Sequence, residues 1–343
     1  MGLFGSSKDF FGLDIGSTAV RIVQLQGGGA RPSLLAYGSA TIPFGMAESD
    51  GKLDMQNLGE IIKKLLNESR IATKNVVTAL PGSAVFTAVV KLPLMNQGEL
   101  AKAIRYQAEQ NIPLKIKDVK IDWQVLRTDQ TKNQMVVMIV AAPTSKVERM
   151  MSLLEYAGLE VEALETSSIA VSRSLVSPND PLVMIVDIGG TSTELTIIEN
   201  GIVSHCRSLP SAGYALTRAI SHNLGLDQNQ AEQFKRKFGL AQDKLEGQVY
   251  KTMRPILANI VDEIQRSAKF YLEEFGGNVT KVILTGGSSK IPELVSFLSA
   301  NLNLEIEVGN PWASVSYPAN YQDQLQKNAY EFALAIGLAS REN

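Results

Sequence analysis

The sequence predicts an α/β protein in which one domain plan is used twice, and three observations carry that expectation. Phe11–Leu25 aligns without a gap on Met184–Ile198, so that Asp14 lies 173 residues before Asp187, about half of the 343-residue chain. The order of strand-like and helix-like runs that follows is also repeated. The composition, 45% hydrophobic and 20% charged, supplies enough apolar side chain for two cores of ordinary domain size.

Each copy opens with a short apolar strand, a tight turn that begins at an aspartate, and a second strand rich in β-branched residues. Gly27-Gly28-Gly29 and Asn200-Gly201 then give hairpin turns, and third strands follow at Ser33–Ile42 and Ile202–Leu209. Leu58, Ile61, Ile62, Leu65 and Leu66 fall on one helical face, as do Ile256, Ile260, Ile264, Ala268 and Tyr271. Asn75–Pro81 and Lys281–Gly287 read as buried strands ending in a breaker. The amphipathic stretches from Ser145 and Ser289, the strands at Leu159–Glu162 and Leu304–Glu307, and helical patterns over Thr166–Val176 and Gln324–Ala339 complete the two copies. The plan is β-β-β-α-β-α-β-α twice over, three antiparallel strands extended by parallel strands through crossover helices.

Two segments exceed the shared plan. Lys91–Pro143, with a helix at Glu99–Asn111 and strands at Ile121–Leu126 and Gln134–Ala141, is grouped with the helix at Ser145–Tyr156 as an inserted α/β unit. Ala212–Gly277 is helical by pattern and larger than one crossover requires.

Composition also excludes. There are 33 Lys and Arg against 35 Asp and Glu, a formal net charge of −2, which argues against nucleic acid or an anionic bilayer as the main partner. No apolar run reaches the roughly 18–20 residues that span a membrane, so direct insertion is not expected. The single cysteine, Cys206, has no intrachain partner for a disulfide, and with two histidines leaves too few ligands for a typical structural zinc site. A reducing cytoplasm is the expected setting.

The chemistry is expected where the repeated turns face each other. Gly16 and Gly189 let the backbone bend and offer amides to a phosphate, while Ser17, Thr18 and Thr191 add hydroxyls beside Gly190. Asp14 and Asp187 are natural ligands of a Mg²⁺ through its retained waters and the first candidates to orient a water for catalysis. One such turn is an ordinary hairpin; two at the same repeat position are not. Gly286, Gly287 and Ser288, where a strand end opens into a helix, leave room for a flat base, with a plain helix cap at Ser289 as the simpler reading. Glu232 and Lys235 share a helical face and are either a solvated ion pair or a pair reaching ribose hydroxyls. Glu165, at the start of a helix, is the further carboxylate placed nearest the cleft, with first-turn helix stabilisation as its alternative role. His205 and His222 read as a strand residue and a solvated helix residue rather than catalysts.

With these residues in view, the chain resembles the PilM family, cytoplasmic actin-like proteins of the type IV pilus inner-membrane assembly platform related to the division protein FtsA. The resemblance runs along the whole chain: Met1-Gly-Leu-Phe-Gly leading into Phe11-Gly-Leu-Asp-Ile-Gly-Ser, then Gln107-Ala-Glu-Gln-Asn-Ile-Pro113, Val186-Asp-Ile-Gly, and Asp262-Glu-Ile-Gln-Arg-Ser-Ala-Lys-Phe-Tyr271. It implies a duplicated actin-like (ribonuclease H-like) ATPase fold with an FtsA-type 1C subdomain and a helical 2B subdomain. The expected division is 1–90 with 159–179 and 325–343 as 1A, 91–158 as 1C, 180–211 with 278–324 as 2A, and 212–277 as 2B. Only Pro43–Gln56 separates the third strand from the first helix, too little for the 1B insertion of actin, Hsp70 and the rod-shape proteins.

The resemblance further implies ATP and Mg²⁺ as ligands, Asp14–Thr18 and Asp187–Thr191 as the phosphate motifs, Glu232 and Lys235 as the ribose pair, and Gly286–Ser288 as the adenosine motif. The family commonly has paired glycines where this chain has Ala212-Gly213, so close backbone approach there rests on Gly213. The implied partner is the cytoplasmic N-terminal peptide of PilN, held between 1A and 1C, with other platform and motor proteins and self-association alongside. A peripheral position at the inner membrane follows, and any ATP hydrolysis would be slow. An FtsA-like division protein, a small-molecule kinase or phosphatase of the same fold, and the secretion-system GspL domain stay open as alternatives.

Overall fold

The computed structural model describes residues 9–27, 31–177, 179–180 and 182–341. The opening Met1–Gly5 pattern and the glycines at 28 and 29 lie outside them. The first half runs β1 (Phe11–Ile15), β2 (Ala19–Gln26), β3 (Ser33–Thr41), α1 (Lys52–Glu68) and β4 (Asn75–Leu80). It is interrupted by β5 (Phe86–Pro93), α2 (Gln97–Asn111), β6 (Val119–Asp129) and β7 (Gln134–Pro143). It resumes with α3 (Thr144–Tyr156), β8 (Glu160–Thr166) and α4 (Ser167–Leu175). The second half runs β9 (Leu182–Ile188), β10 (Thr193–Glu199) and β11 (Ile202–Leu209). Helices α5 (Gly213–Leu224), α6 (Gln228–Phe238) and α7 (Gln248–Phe275) follow, then β12 (Lys281–Thr285), α8 (Leu294–Leu302), β13 (Glu305–Val308), α9 (Gln322–Lys327) and α10 (Ala333–Ala339).

The duplication is reproduced strand for strand. The two five-stranded sheets have the orders β3-β2-β1-β4-β8 and β11-β10-β9-β12-β13, antiparallel at the opening hairpins and parallel thereafter. Even the register is shared: Asp14 pairs with Arg21 across the first hairpin, and Asp187 pairs with Glu194 across the second. Arg21 and Glu194 therefore occupy the same repeat position with opposite charge.

Helix α1 buries Leu58, Ile62, Leu65 and Leu66, as its periodicity requires. In α7 the buried line is Val249, Met253, Leu257, Ile260, Ile264 and Tyr271, with Ile256 and Ala268 only half-buried beside it. The single closing helix expected over Gln324–Ala339 is two helices, because a tight 3₁₀ turn at Ala329–Glu331 redirects the chain.

The inserted unit differs from its expected extent. It starts at Phe86, since β5 pairs with β7 in the three-stranded sheet β5-β7-β6, a strand hidden in the sequence by the Gly82–Ala84 turn before it. It ends at Pro143, because Met150, Leu153 and Leu154 of α3 pack with Leu58, Ile62 and Leu65 of α1 in the first-half core. One face of the inserted sheet holds Leu100, Ile104 and Ala108 of α2. The other, through Leu126, Val136 and Met138, packs on Val183, Ile185, Ile198 and Val203 of the second half. Buried on both sides, β7 is apolar at nearly every position, which is why it stood out as a continuous hydrophobic run.

The halves meet at two crossing helices. Val171 of α4 joins the hydrophobic layer on the second sheet, while Leu338 of α10 packs with Val77 and Ala79 of the first. At their contact a Cβ on Gly337 would lie 1.7 Å from the carbonyl oxygen of Ala170, and where α10 rests on β1 one on Gly12 would lie 2.3 Å from that of Ala335. Helix propensity favours Ala over Gly by up to about 1 kcal/mol, whereas forcing extra volume into packed backbone costs about 1–3 kcal/mol or more, so sterics win. Gly337→Ala should lower stability by about 2 kcal/mol in urea unfolding. Gly98→Ala in the first turn of α2, where the nearest atom to the new Cβ is Asn96 Oδ1 at 3.4 Å, should leave stability unchanged or raised.

Candidate functional site

The two aspartate turns meet at the floor of a cleft of about 1270 Å³ between the halves. Each turn is closed by the same bond, Gly16 N–H to the Ala19 carbonyl at 3.0 Å and Gly189 N–H to the Ser192 carbonyl at 3.0 Å. They approach so closely that a Cβ on Gly190 would meet Ser17 Oγ at 2.2 Å. Gly286 adopts a φ of +84°, and a Cβ there would meet Asp187 Oδ1 at 2.2 Å. The loop after β12 thus lies directly on the second turn. Asp14, Gly16, Ser17, Thr18, Asp187, Gly189, Gly190, Thr191, Gly286 and Gly287 all line this cleft.

The remaining adenosine-side candidates form a second layer behind it. The first amides of α5, Gly213 and Tyr214, donate to the carbonyls of Gly189 and Gly190 at 3.1 and 2.8 Å, and Ser288 Oγ donates to the Gly189 carbonyl at 3.2 Å. A Cβ on Gly213 would meet Ser288 Oγ at 2.4 Å, so any larger residue at the one glycine of Ala212-Gly213 would displace that hydroxyl from the Gly189 carbonyl. Lys235 is buried; its Nζ donates to the Gly213 carbonyl at 3.0 Å and Thr217 Oγ1 at 2.8 Å and pairs with Glu232 at 2.6 Å. Burial pushes the Glu232 carboxyl up, but Lys235 and the hydrogen bonds from Lys235, Thr217 and Arg236 hold it down at about 2. Lys235 is thus shut away from solvent while Glu232 stays about one-third exposed beside Arg236; neither lines the cleft, and together they tie α6 to the start of α5.

Glu165 lies elsewhere. It is held by Arg173 at 3.0 Å and by Arg341 and is absent from the cleft lining. The chain turns into α4 just beyond it, and Ser167 and Ser168 reach the cleft instead. His205 packs against Phe270 with ring centroids 5.0 Å apart and takes no part.

Two cleft residues escaped the motif reading. Glu194 reaches across to the first half, accepting from the Gly82 amide at 2.6 Å and from Ser167 Oγ at 2.6 Å. Arg21 lies 3.6 Å from Asp14 and pairs with Glu331 at 2.5 Å, leaving its Nε buried without a partner. The signal for both was the repeat: each stands seven residues after its motif aspartate, on the same face of the next strand. At the mouth, the loop after β3 is pinned by Arg149, whose guanidinium donates to the carbonyls of Ala47 and Ser49. From that loop Phe44 stacks on Tyr214 of the second half, centroids 3.8 Å apart at 16°.

Electrostatically the floor is short of positive charge. Burial raises Asp14 to about 6 despite Arg21, and burial together with Glu194 and Asp14 raises Asp187 to about 7. Burial also raises Glu194, against the pull of Ser167 and Gly82. Such carboxylates are relieved by a cation or by protonation.

A family model described as type IV pilus assembly protein PilM matches residues 12–343. The solved PilM-PilN type IV pilus biogenesis complex contains a chain 30% identical, with a TM-score of 0.86, covering 98% of this chain and 100% of that one. MreB5 of Spiroplasma citri bound to ADP, 15% identical with a TM-score of 0.58 and coverage of 96% and 95%, shares the actin-like fold. Among curated relatives, FtsA of Buchnera aphidicola is 23% identical over 75% of this chain and 73% of its own length. FtsA of Neisseria meningitidis is 23% identical over 62% of this chain and 58% of its own.

The raised carboxyls fix the sign of a pH effect. A folded-state pKa above the unfolded value contributes stability that is complete below about 4 and is lost as pH rises through about 6 for Asp14 and about 7 for Asp187. Asp187→Asn should therefore match the wild type in denaturant unfolding at pH 4 and exceed it at pH 8, by roughly 1–3 kcal/mol given that Asp187 is half-buried.

Proposed function

The chain belongs to the PilM family of type IV pilus assembly proteins, and on that premise we propose that it is an ATP-binding adaptor of the pilus assembly platform at the inner membrane. The observation that carries the nucleotide reading is the meeting of the two repeated turns, with the Gly286 loop lying on Asp187. The turns supply amides and hydroxyls for a polyphosphate, and Arg21 is the cation beside them with a buried, unpartnered Nε. The adenosine side falls to Gly286, Gly287 and Ser288, with Glu232 at the edge of the α5–α6 layer for the ribose and Lys235 and Gly213 fixing that layer.

Magnesium fits the donor set. Among the described residues no three His, Cys, Asp or Glu side chains converge to hold a metal directly. Asp14 and Asp187 would instead accept hydrogen bonds from its waters, an arrangement suited to an ion that keeps its hydration. The bound ion would neutralise phosphate and relieve the raised carboxyls together. Asp14 and Asp187 are also the groups that could take a proton from water near neutral pH, whereas Glu165, the further carboxylate expected for that task, is held by Arg173 and Arg341 outside the cleft lining. Hydrolysis is accordingly slow in this reading.

The adaptor half rests on likeness to the PilM-PilN complex. The partner is the cytoplasmic N-terminal peptide of a PilN-like membrane protein, seated between the first half and the inserted unit. No helix among the described residues is long and apolar enough to cross a membrane, so recruitment through such a partner gives a peripheral inner-membrane location. Other platform and motor proteins, and further copies of the chain, would join there.

Calorimetry should show ATP-Mg²⁺ binding that Asp187→Ala removes, and separately binding of the PilN N-terminal peptide that Asp187→Ala retains. A wild-type protein with no affinity for ATP-Mg²⁺ refutes the nucleotide half, and one that ignores the peptide refutes the adaptor half.

A further inference from the structure

The contact between Glu194 and the first half is built rather than incidental. Its two carboxylate oxygens are taken up separately, Oε1 by the Gly82 amide at 2.6 Å and Oε2 by Ser167 Oγ at 2.6 Å. The two donors are themselves joined, Gly82 N–H to Ser167 Oγ at 3.0 Å, so the end of β4 and the start of α4 present one preformed receptor. The seat has no spare volume: a Cβ on Gly82 would lie 2.8 Å from Glu194 Cδ and 2.9 Å from Oε2. Glu194 is carried on β10, in register with Asp187, so this side chain reports the position of the second phosphate turn to the first half.

We propose that Glu194 is a positioning residue that clamps the two halves shut over a bound nucleotide, using Gly82 and Ser167 as its receptor, and so sets how long the nucleotide stays. The proposal rests on the nucleotide reading of the cleft. Opening the cleft pulls Glu194 off both donors at once, which makes release a cooperative step rather than a gradual one. The stacked Phe44 and Tyr214 at the mouth and the crossing helices stay outside the clamp, so its loss changes the rate of opening and leaves the fold intact.

The test has two independent readouts. Gly82→Ala keeps every charge and blocks the seat, at a position where the backbone does not require glycine. With a fluorescent ADP analogue and Mg²⁺, Gly82→Ala and Glu194→Ala should each release nucleotide on the order of tenfold faster than wild type, as loss of hydrogen bonds to a charged group implies. The double variant should be no faster than either. Glu194→Gln, whose amide can accept from Gly82 and donate to Ser167, should restore release to within about threefold. The second readout is the distance between spin labels at the exposed positions 64 in α1 and 233 in α6; burial pushes Cys206 up to about 11, which makes it a poor competitor for the label. Gly82→Ala should lengthen or broaden that distance without nucleotide. Unchanged release and unchanged distance in Gly82→Ala overturn the clamp while the nucleotide site stands. A wild type that binds no nucleotide overturns the site, and the label distance then decides the clamp by itself.

Discussion

The arrangement depends on how closely the backbones of α4 and α10 cross. Gly337 leaves no room for even a methyl group above the Ala170 carbonyl, and Gly12 does the same where α10 rests on β1. This draws α4 onto the second sheet and α10 onto the first, so each half is closed partly by a helix of the other. The two strand ends that carry Asp14 and Asp187 are thereby set face to face. A crossing one methylene wider would separate the turns, and the Ser17–Gly190 approach at the floor would be lost. The inserted sheet adds a third link, since its Leu126, Val136 and Met138 lie on the second half as its chain ends join the first.

The cleft this creates is electrostatically unbalanced. Asp14, Asp187 and Glu194 are drawn together with Glu331 around the guanidinium of Arg21. Packing for stability alone would not hold carboxyls at about 6 and 7. The imbalance is understandable where the occupant brings its own cation, because a magnesium–polyphosphate offers positive charge to the aspartates and negative charge to Arg21. On the nucleotide reading proposed above, the stability forgone by holding these carboxyls together would be returned as binding energy.

Most of the fold was legible because duplication doubles every signal. A strand pattern that is ambiguous once is persuasive when it recurs 173 residues later, and both sheets extend three antiparallel strands with parallel ones as expected. That the two aspartate turns would meet was legible for the same reason, and Gly286 from a glycine pair at a strand end; all of them line the cleft. What was hidden is non-local. Glu165 and Ser167 are two residues apart, and only the point where β8 becomes α4 decides which enters the cleft. Lys235 reads as a surface ion pair until α6 is seen lying on the first turn of α5. The start of the insertion was missed because β5 has its partner in β7, more than forty residues away in sequence.

Arg21 and Glu194 carry the last step. They descend on equivalent strands from equivalent aspartates, and in a symmetric dimer of halves they would have been the same residue. Their opposite charges divide the work between the halves. Arg21 stays on the first half's side, between Asp14 and Glu331, and in the proposed reading gives that side the fixed cation for phosphate. Glu194 crosses to the Gly82 amide and the Ser167 hydroxyl, and in the proposed clamp gives the second side the group that senses closure. Two arginines would leave no group to bind the Gly82 amide, and two glutamates would leave five acids at the floor and no guanidinium beside Asp14. If both proposals hold, the asymmetry of a single repeat position is enough to turn a duplicated scaffold into a cleft with a binding side and a closing side.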